Sequence, residues 1–343
     1  MESKKSAKER FLDRNFGVLE DWDKHMAKQI PNGKEMLKLQ EEFGNRTNYE
    51  LGREMWYSND FFINSLVLNF ITDAEESGEN ELVNELKNIY VGMLNKPGIN
   101  AEALNMDEEF DGYLINIYFD MEIQLTLISR LVSCYLYGLH PRSNGEWIGL
   151  LTEMVDNLVF LVDKLTYIQV AKARMNDEDR HIDFDSHKLH IETDLFVAGM
   201  SFIIGHEIGH HFLKHTESIP RNIVSRFIPT NVTSNQMHLD EFAADNFGFD
   251  LVIKGMKIRN KNTLFSPLMV LLMLALGDEK PEEPSQNHPS PRDRYLNLLS
   301  RLSEYDEEIA LSLQLIFNDL ATWIYDDDIF SKKKGYWDTV WWE

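Results

Sequence analysis

Along most of the chain, apolar residues recur at three- and four-residue spacing, the period of a helix with one buried face. Among the first hundred residues, Glu35–Phe43, Asp60–Glu76 and Glu79–Leu94 carry such stripes between charged neighbours, which predicts amphipathic helices. Asn95–Gly112 combines a Pro-Gly turn with acidic residues and reads as a connection. Tyr113–Leu139 is almost continuously apolar, as a buried helix would be, and His140-Pro141 ends it. From Glu146 to about Met175 a second long helix is predicted, with Trp147, Leu150, Leu151, Met154, Leu158, Leu161, Leu165 and Ile168 on one stripe. Met175–Asp194 is polar, and its alternating stretch at Lys188–Ile191 suggests a short edge strand. At Leu195 a segment apolar enough for an interior helix begins, with Thr193 or Asp194 as its N-cap. Past a proline-dense loop, Arg292–Leu302 is helical again.

Composition and charge narrow the class. Of 343 residues, 34 are Lys or Arg and 57 are Asp or Glu, a net charge of 34 − 57 = −23, which argues against a surface that tracks phosphates. Nucleic acid is therefore not an expected partner. An apolar fraction of 43% with only 18 Gly and 10 Pro fits a globular, helix-rich chain. Cys134 is the only cysteine, so an intramolecular disulfide and a thiolate zinc cage are both excluded, and a metal site must use His and carboxylates. Cys134 itself reads as a structural thiol within the first long helix. The N-terminus lacks the apolar stretch of a secretory signal. The longest uncharged apolar run, Asn262–Gly277, falls short of the roughly 18–20 residues a bilayer needs and is interrupted by Pro267. These features predict a soluble, cytoplasmic protein with no integral membrane segment, and they leave its oligomeric state open.

The segment that carries chemistry is Ser201–His215, SFIIGHEIGHHFLKH. His206-Glu207-Ile208-Gly209-His210 is an H-E-x-x-H pattern, which on a helix puts both imidazoles on one face one turn apart, able to share a zinc ion. Glu207 then lies beside the metal without binding it, the place of a general base acting on a water whose pKa the metal lowers. Gly199, Gly205 and Gly209 each cost up to ~1 kcal/mol in a helix, which suggests close approach by a neighbouring helix or a substrate strand. The third ligand must come from another helix, because Leu213 and Thr216 stand where a longer H-E-x-x-H-x-x-G-x-x-H pattern needs Gly and His. Glu241 is the best candidate, with His238 its chief competitor. Asp245, one turn after Glu241, can accept a hydrogen bond from the far nitrogen of a ligand imidazole. His211 is expected to pack or hydrogen-bond rather than ligate, since it points about 100° away on the helix, and His215, five residues from His210, is poorly spaced for the same metal. His181, His187 and His190 read as solvated. Thr216–Met237 is either a flap or a plain connection.

HEIGHH, then EFAAD, then HPSPRDR (His288 to Arg294) resembles the H-E-x-x-H, E-x-x-A-D and H-P-x-x-x-x-R series of the gluzincin metallopeptidases related to the CAAX prenyl protease and the heat-shock membrane metallopeptidases. The resemblance covers roughly Asp194 to Leu302. It implies a zinc-dependent endopeptidase acting on a protein or peptide substrate, with His206, His210 and Glu241 as ligands and Glu207 as base. It also implies that His288 faces the site and stabilises the oxyanion, and that Arg294 pairs with an acidic residue such as Asp245. The membrane helices of that family have no counterpart here, so membrane location and prenylated substrates do not carry over. The expected fold is mostly α, an α+β zincin-like arrangement with a small edge sheet. It divides into a helical N-terminal region (1–110) that serves recognition or regulation, a peptidase core (111–303), and a C-terminal helix with a Trp-rich tail (304–343). Two alternatives stay open: a catalytically silent zinc-binding regulatory protein, and a latent protease specific for one protein and released by a trigger.

Overall fold

The computed structural model describes residues 4–14, 60–94, 98–138, 186–217, 235–255, 261–278 and 282–326. The helices expected at Glu35–Phe43 and Glu146–Met175, most of Thr216–Met237 and the Trp-rich tail lie outside these residues.

The chain opens with β1 (Lys5–Ser6) and a helical stretch at 7–14. The Asp60–Glu76 stripe forms α1 with the predicted bounds. The next predicted helix is only half there: α2 covers Asn80–Leu86, and Ile89–Leu94 is strand β2. The expected connection contains β3 (Ala101–Ala103) and β4 (Phe110–Asp111). Tyr113–Tyr118, expected to begin a helix, is strand β5, and the helix α3 starts after it at Phe119–Gly138. Both misread strands are buried at nearly every position. A strand covered on both faces is apolar throughout, and so carries no period that separates it from a buried helix.

β2 pairs with β5 in parallel, Ile89 opposite Tyr113 and Leu94 opposite Tyr118. β3 joins the other side of β5 antiparallel, Glu102 opposite Asn116, giving the order β2-β5-β3 with β3 at the edge. Beyond β2 stands α1, whose buried Asn64 donates to Val91 O at 2.7 Å and accepts from Val91 N at 3.2 Å. One side-chain amide there replaces the backbone of a missing strand. β1 and β4 form a separate two-residue parallel bridge.

The rest is helical: α4 (Ser186–Phe212), α5 (Gln236–Gly255), α6 (Lys261–Gly277), α7 (Pro291–Tyr305) and α8 (Glu307–Asp326). α4 begins upstream of the predicted caps Thr193 and Asp194 and absorbs the edge strand expected at Lys188–Ile191. The buried stripe Ile191, Leu195, Ala198 and Phe202 has helical spacing from its first member, and Arg130 of α3 holds Glu192 at 3.1 Å. α7 starts where Ser290 accepts from Asp293 N at 3.1 Å, with Pro291 in the first turn. Central α4 packs against α3, α5 and α6, and one hydrophobic cluster extends from Ala7 to Phe317. The fold is mostly helical with small sheets, as expected. Among the described residues no helix is long and apolar enough to cross a membrane.

Glycine decides how closely α4 and α5 cross. A Cβ on Gly205 would lie 3.0 Å from Gly248 Cα, and one on Gly209 would lie 3.1 Å from Ala244 Cα. A Cβ on Gly248 would meet His206 N at 2.7 Å. The helices therefore touch backbone to backbone, from the residue next to His206 to about one turn beyond it. A neighbouring helix, rather than a substrate strand, explains Gly205 and Gly209.

Candidate metal centre

At this crossing α4 contributes His206 and His210 and α5 contributes Glu241. The two Nε2 atoms lie 3.1 Å apart, with Glu241 Oε2 3.5 Å from that of His206 and Oε1 3.3 Å from that of His210. Ligands about 2.0–2.1 Å from a tetrahedral zinc ion stand roughly 3.3–3.4 Å from one another. The spacing and the donor set therefore fit a metal ion, and these three residues can hold one.

Behind the cluster the support is ionic. His206 Nδ1 lies 2.9 Å from Asp245 Oδ1. Asp245, fully buried, is held from α7 by Arg294, whose Nε and Nη2 donate at 2.8 and 2.6 Å. Nη1 of the same guanidinium lies 3.8 Å from Glu241 Oε2. Burial alone would lower the His206 pKa, but hydrogen bonds and charge from Asp245 and Glu241 outweigh it and raise the pKa to about 10. Burial would likewise raise Glu241, yet the imidazoles of His206, His210 and His288 hold it well below the usual carboxylate range. Asp245 is also held low: Arg294 and His206 overcome its burial. Two further pairs join α5 to α7, a reciprocal amide pair between Asn246 and Asn297 at 3.0 and 3.3 Å and the Arg301–Asp250 ion pair at 2.8 Å.

The cluster opens on a cleft of about 460 Å³. Edge strand β3 and its flanks line it, including Glu102, and so do the apolar side chains of Met121, Phe202, Ile203, Val270 and Leu274. Glu207 is buried and lines the cleft, and its carboxylate makes no hydrogen bond among the described residues. His288 also lines it, with 61% of its side chain exposed and Nδ1 3.3 Å from Glu241 Oε2. The loop carrying His288 is tied to α5 by His238, whose Nε2 donates to Ser285 O at 2.9 Å. His238, the alternative ligand, thus anchors a loop and stands outside the cluster.

His211 turns away from the cluster. Its Nε2 donates to Leu114 O at 3.3 Å, which leaves Nδ1 to accept from Thr216 Oγ1 at 2.9 Å. Burial pushes its pKa down to about 3. His190 is exposed on α4 and does not line the cleft. His215 stays outside the cluster, as its spacing predicts, yet it touches His210 in a way the spacing does not show: its Nδ1 lies 3.0 Å from Nδ1 of His210, and its Nε2 lies 3.6 Å from Asp240 Oδ1. Burial, then the neighbouring His210, lowers its pKa to about 3. The signal for it lies in how α4 ends rather than in helical spacing.

Residues 167–314 match the family described as Peptidase U49. That stretch contains α4, α5, α6 and α7, hence every side chain of the cluster and its ionic support. No curated protein and no solved structure matches the chain. The family match indicates a peptidase, whose substrate is then a peptide or protein.

Proposed function

We propose that the chain is a zinc-dependent endopeptidase of the gluzincin type, with His206, His210 and Glu241 as ligands and Glu207 as general base. The observation that carries this reading is the convergence of three ligand atoms from two helices beside an unengaged carboxylate, all facing one cleft. When bound, zinc supplies a Lewis acid for the scissile carbonyl and lowers the pKa of water. Glu207 takes the proton of the attacking water and hands it to the leaving amine. His288 has two tasks, steadying Glu241 through Nδ1 and offering its other ring nitrogen to the oxyanion. Asp245 and Arg294 fix the tautomer and orientation of His206.

The substrate is an extended peptide segment. Among the described residues β3 has a strand on one side only, so its outer edge can pair with a peptide backbone in the cleft. Phe202, Val270 and Leu274 line the same cleft and suit an apolar side chain of the substrate. With one cysteine and no intramolecular disulfide to protect, the chain suits the reducing cytoplasm.

The test is elemental analysis of wild type, Glu207→Gln and Glu241→Ala, with cleavage of a mixed peptide library run alongside. Wild type should carry about one zinc per chain, as a single three-ligand site requires, and should cut next to apolar residues. Glu207→Gln should keep the metal and lose hydrolysis, and Glu241→Ala should lose both. Wild-type cleavage by Glu207→Gln would remove the general base from the mechanism.

A further inference from the structure

The end of α4 is built as a turn that folds back on a ligand. His215 N–H donates to His210 O at 2.9 Å and Lys214 N–H to His211 O at 3.0 Å, the paired bonds of a helix terminus closed by one left-handed residue. That residue is Lys214, at φ 67°, where glycine is usual. Its side chain is held in place: Nζ donates to Glu85 Oε1 at 3.0 Å and to Tyr113 Oη at 2.8 Å. A turn of this kind stacks the residue five positions on over the last full turn of the helix, commonly as an apolar contact. Here it brings two imidazoles together edge to face, 5.1 Å between ring centres and 69° between planes, with their Nδ1 atoms 3.0 Å apart.

The tautomers follow from the ligand role. With Nε2 of His210, which faces Glu241 and His206, given to the metal, the ring hydrogen sits on Nδ1 and is donated to His215 Nδ1. His215 then carries its own hydrogen on Nε2, which faces Asp240 Oδ1 at 3.6 Å. Among the described residues His215 is the sole hydrogen-bond partner of His210 Nδ1.

We infer that His215, backed by Asp240 and placed by the turn at Lys214, is a positioning residue that fixes the ring and tautomer of His210 for metal binding. This rests on the reading of His206, His210 and Glu241 as ligands. A ligand imidazole whose outer nitrogen is held binds more tightly than one free to rotate or to move its proton. The chain thus orients one ligand through Asp245 on another helix and the other through its own next turn.

The test is zinc affinity of the full chain, measured by chelator competition, in wild type, His215→Ala and His215→Asn, with folding checked by circular dichroism of the metal-free proteins. Asparagine places an acceptor oxygen near the position of Nδ1. His215→Ala should weaken zinc binding by about 10- to 100-fold, and His215→Asn should recover most of that loss. Unchanged affinity in His215→Ala overturns the inference while leaving the ligand set intact. Equal losses in Ala and Asn also overturn it, because packing rather than the hydrogen bond would then be responsible. A wild-type chain that binds no zinc overturns the ligand reading, and the inference with it.

Discussion

The two imidazoles of the candidate metal centre stand one turn apart on one helix, yet their surroundings differ. His206 backs onto a buried ionic system drawn from α5 and α7, with Asp245 fully buried and Arg294 gripping both of its oxygens. His210 backs onto a neutral imidazole supplied by the end of its own helix, with the half-buried Asp240 beyond. The first arrangement ties the site to the packing of three helices. The second is local, held by a turn of a few residues. Damage on the His206 side should therefore reach the fold and the metal together, and damage on the His210 side should reach the metal with far less effect on the fold.

The largest effect is expected from Arg294→Met, which leaves Asp245 buried with one charged partner fewer. Denaturant unfolding should show a loss of about 3–5 kcal/mol, and a loss near zero would abolish the contrast between the two sides. Next comes Gly248→Ala, whose new methyl group meets the His206 backbone and pushes α4 from α5. A loss of about 1–3 kcal/mol with weakened zinc binding is expected; unchanged binding would mean that the helices can separate without disturbing the cluster. The smallest effect concerns Lys214. Alanine and glycine both remove the bonds to Glu85 and Tyr113, but only glycine relieves the left-handed backbone. Lys214→Gly should be more stable than Lys214→Ala by about 1 kcal/mol, a difference readable in thermal unfolding. If alanine equals glycine there, the turn is not under the constraint its φ implies.

What the sequence makes legible divides along similar lines. His206, Glu207 and His210 are readable because a four-residue step on a helix has one spatial meaning. Glu241 and Asp245 follow, since a buried helix tolerates two acids one turn apart only where they have partners. His288 and Arg294 depend on the resemblance, because a proline-rich loop has no period to read. His215 stands outside the ligand cluster, as its spacing predicts, but its contact with His210 has no helical period to announce it, because α4 ends at Phe212 and reverses at Lys214. Ile89–Leu94 and Tyr113–Tyr118 were read as helix because burial on both faces erases the alternation that marks a strand. The start of α4 was placed too late because Thr193 and Asp194 look like caps. There the buried positions of Ile191 and Leu195 outweigh local preference.

The glycine contact between α4 and α5 also bears on how the ion arrives. Since the backbones of Gly205 and Gly248 already touch, the separation of the ligand-bearing helices is set by the polypeptide itself. A cation captured there would load a finished socket rather than zip two halves shut. Its uptake and release would be governed by side-chain rotation and access through the cleft, and would not require the two helices to come together first.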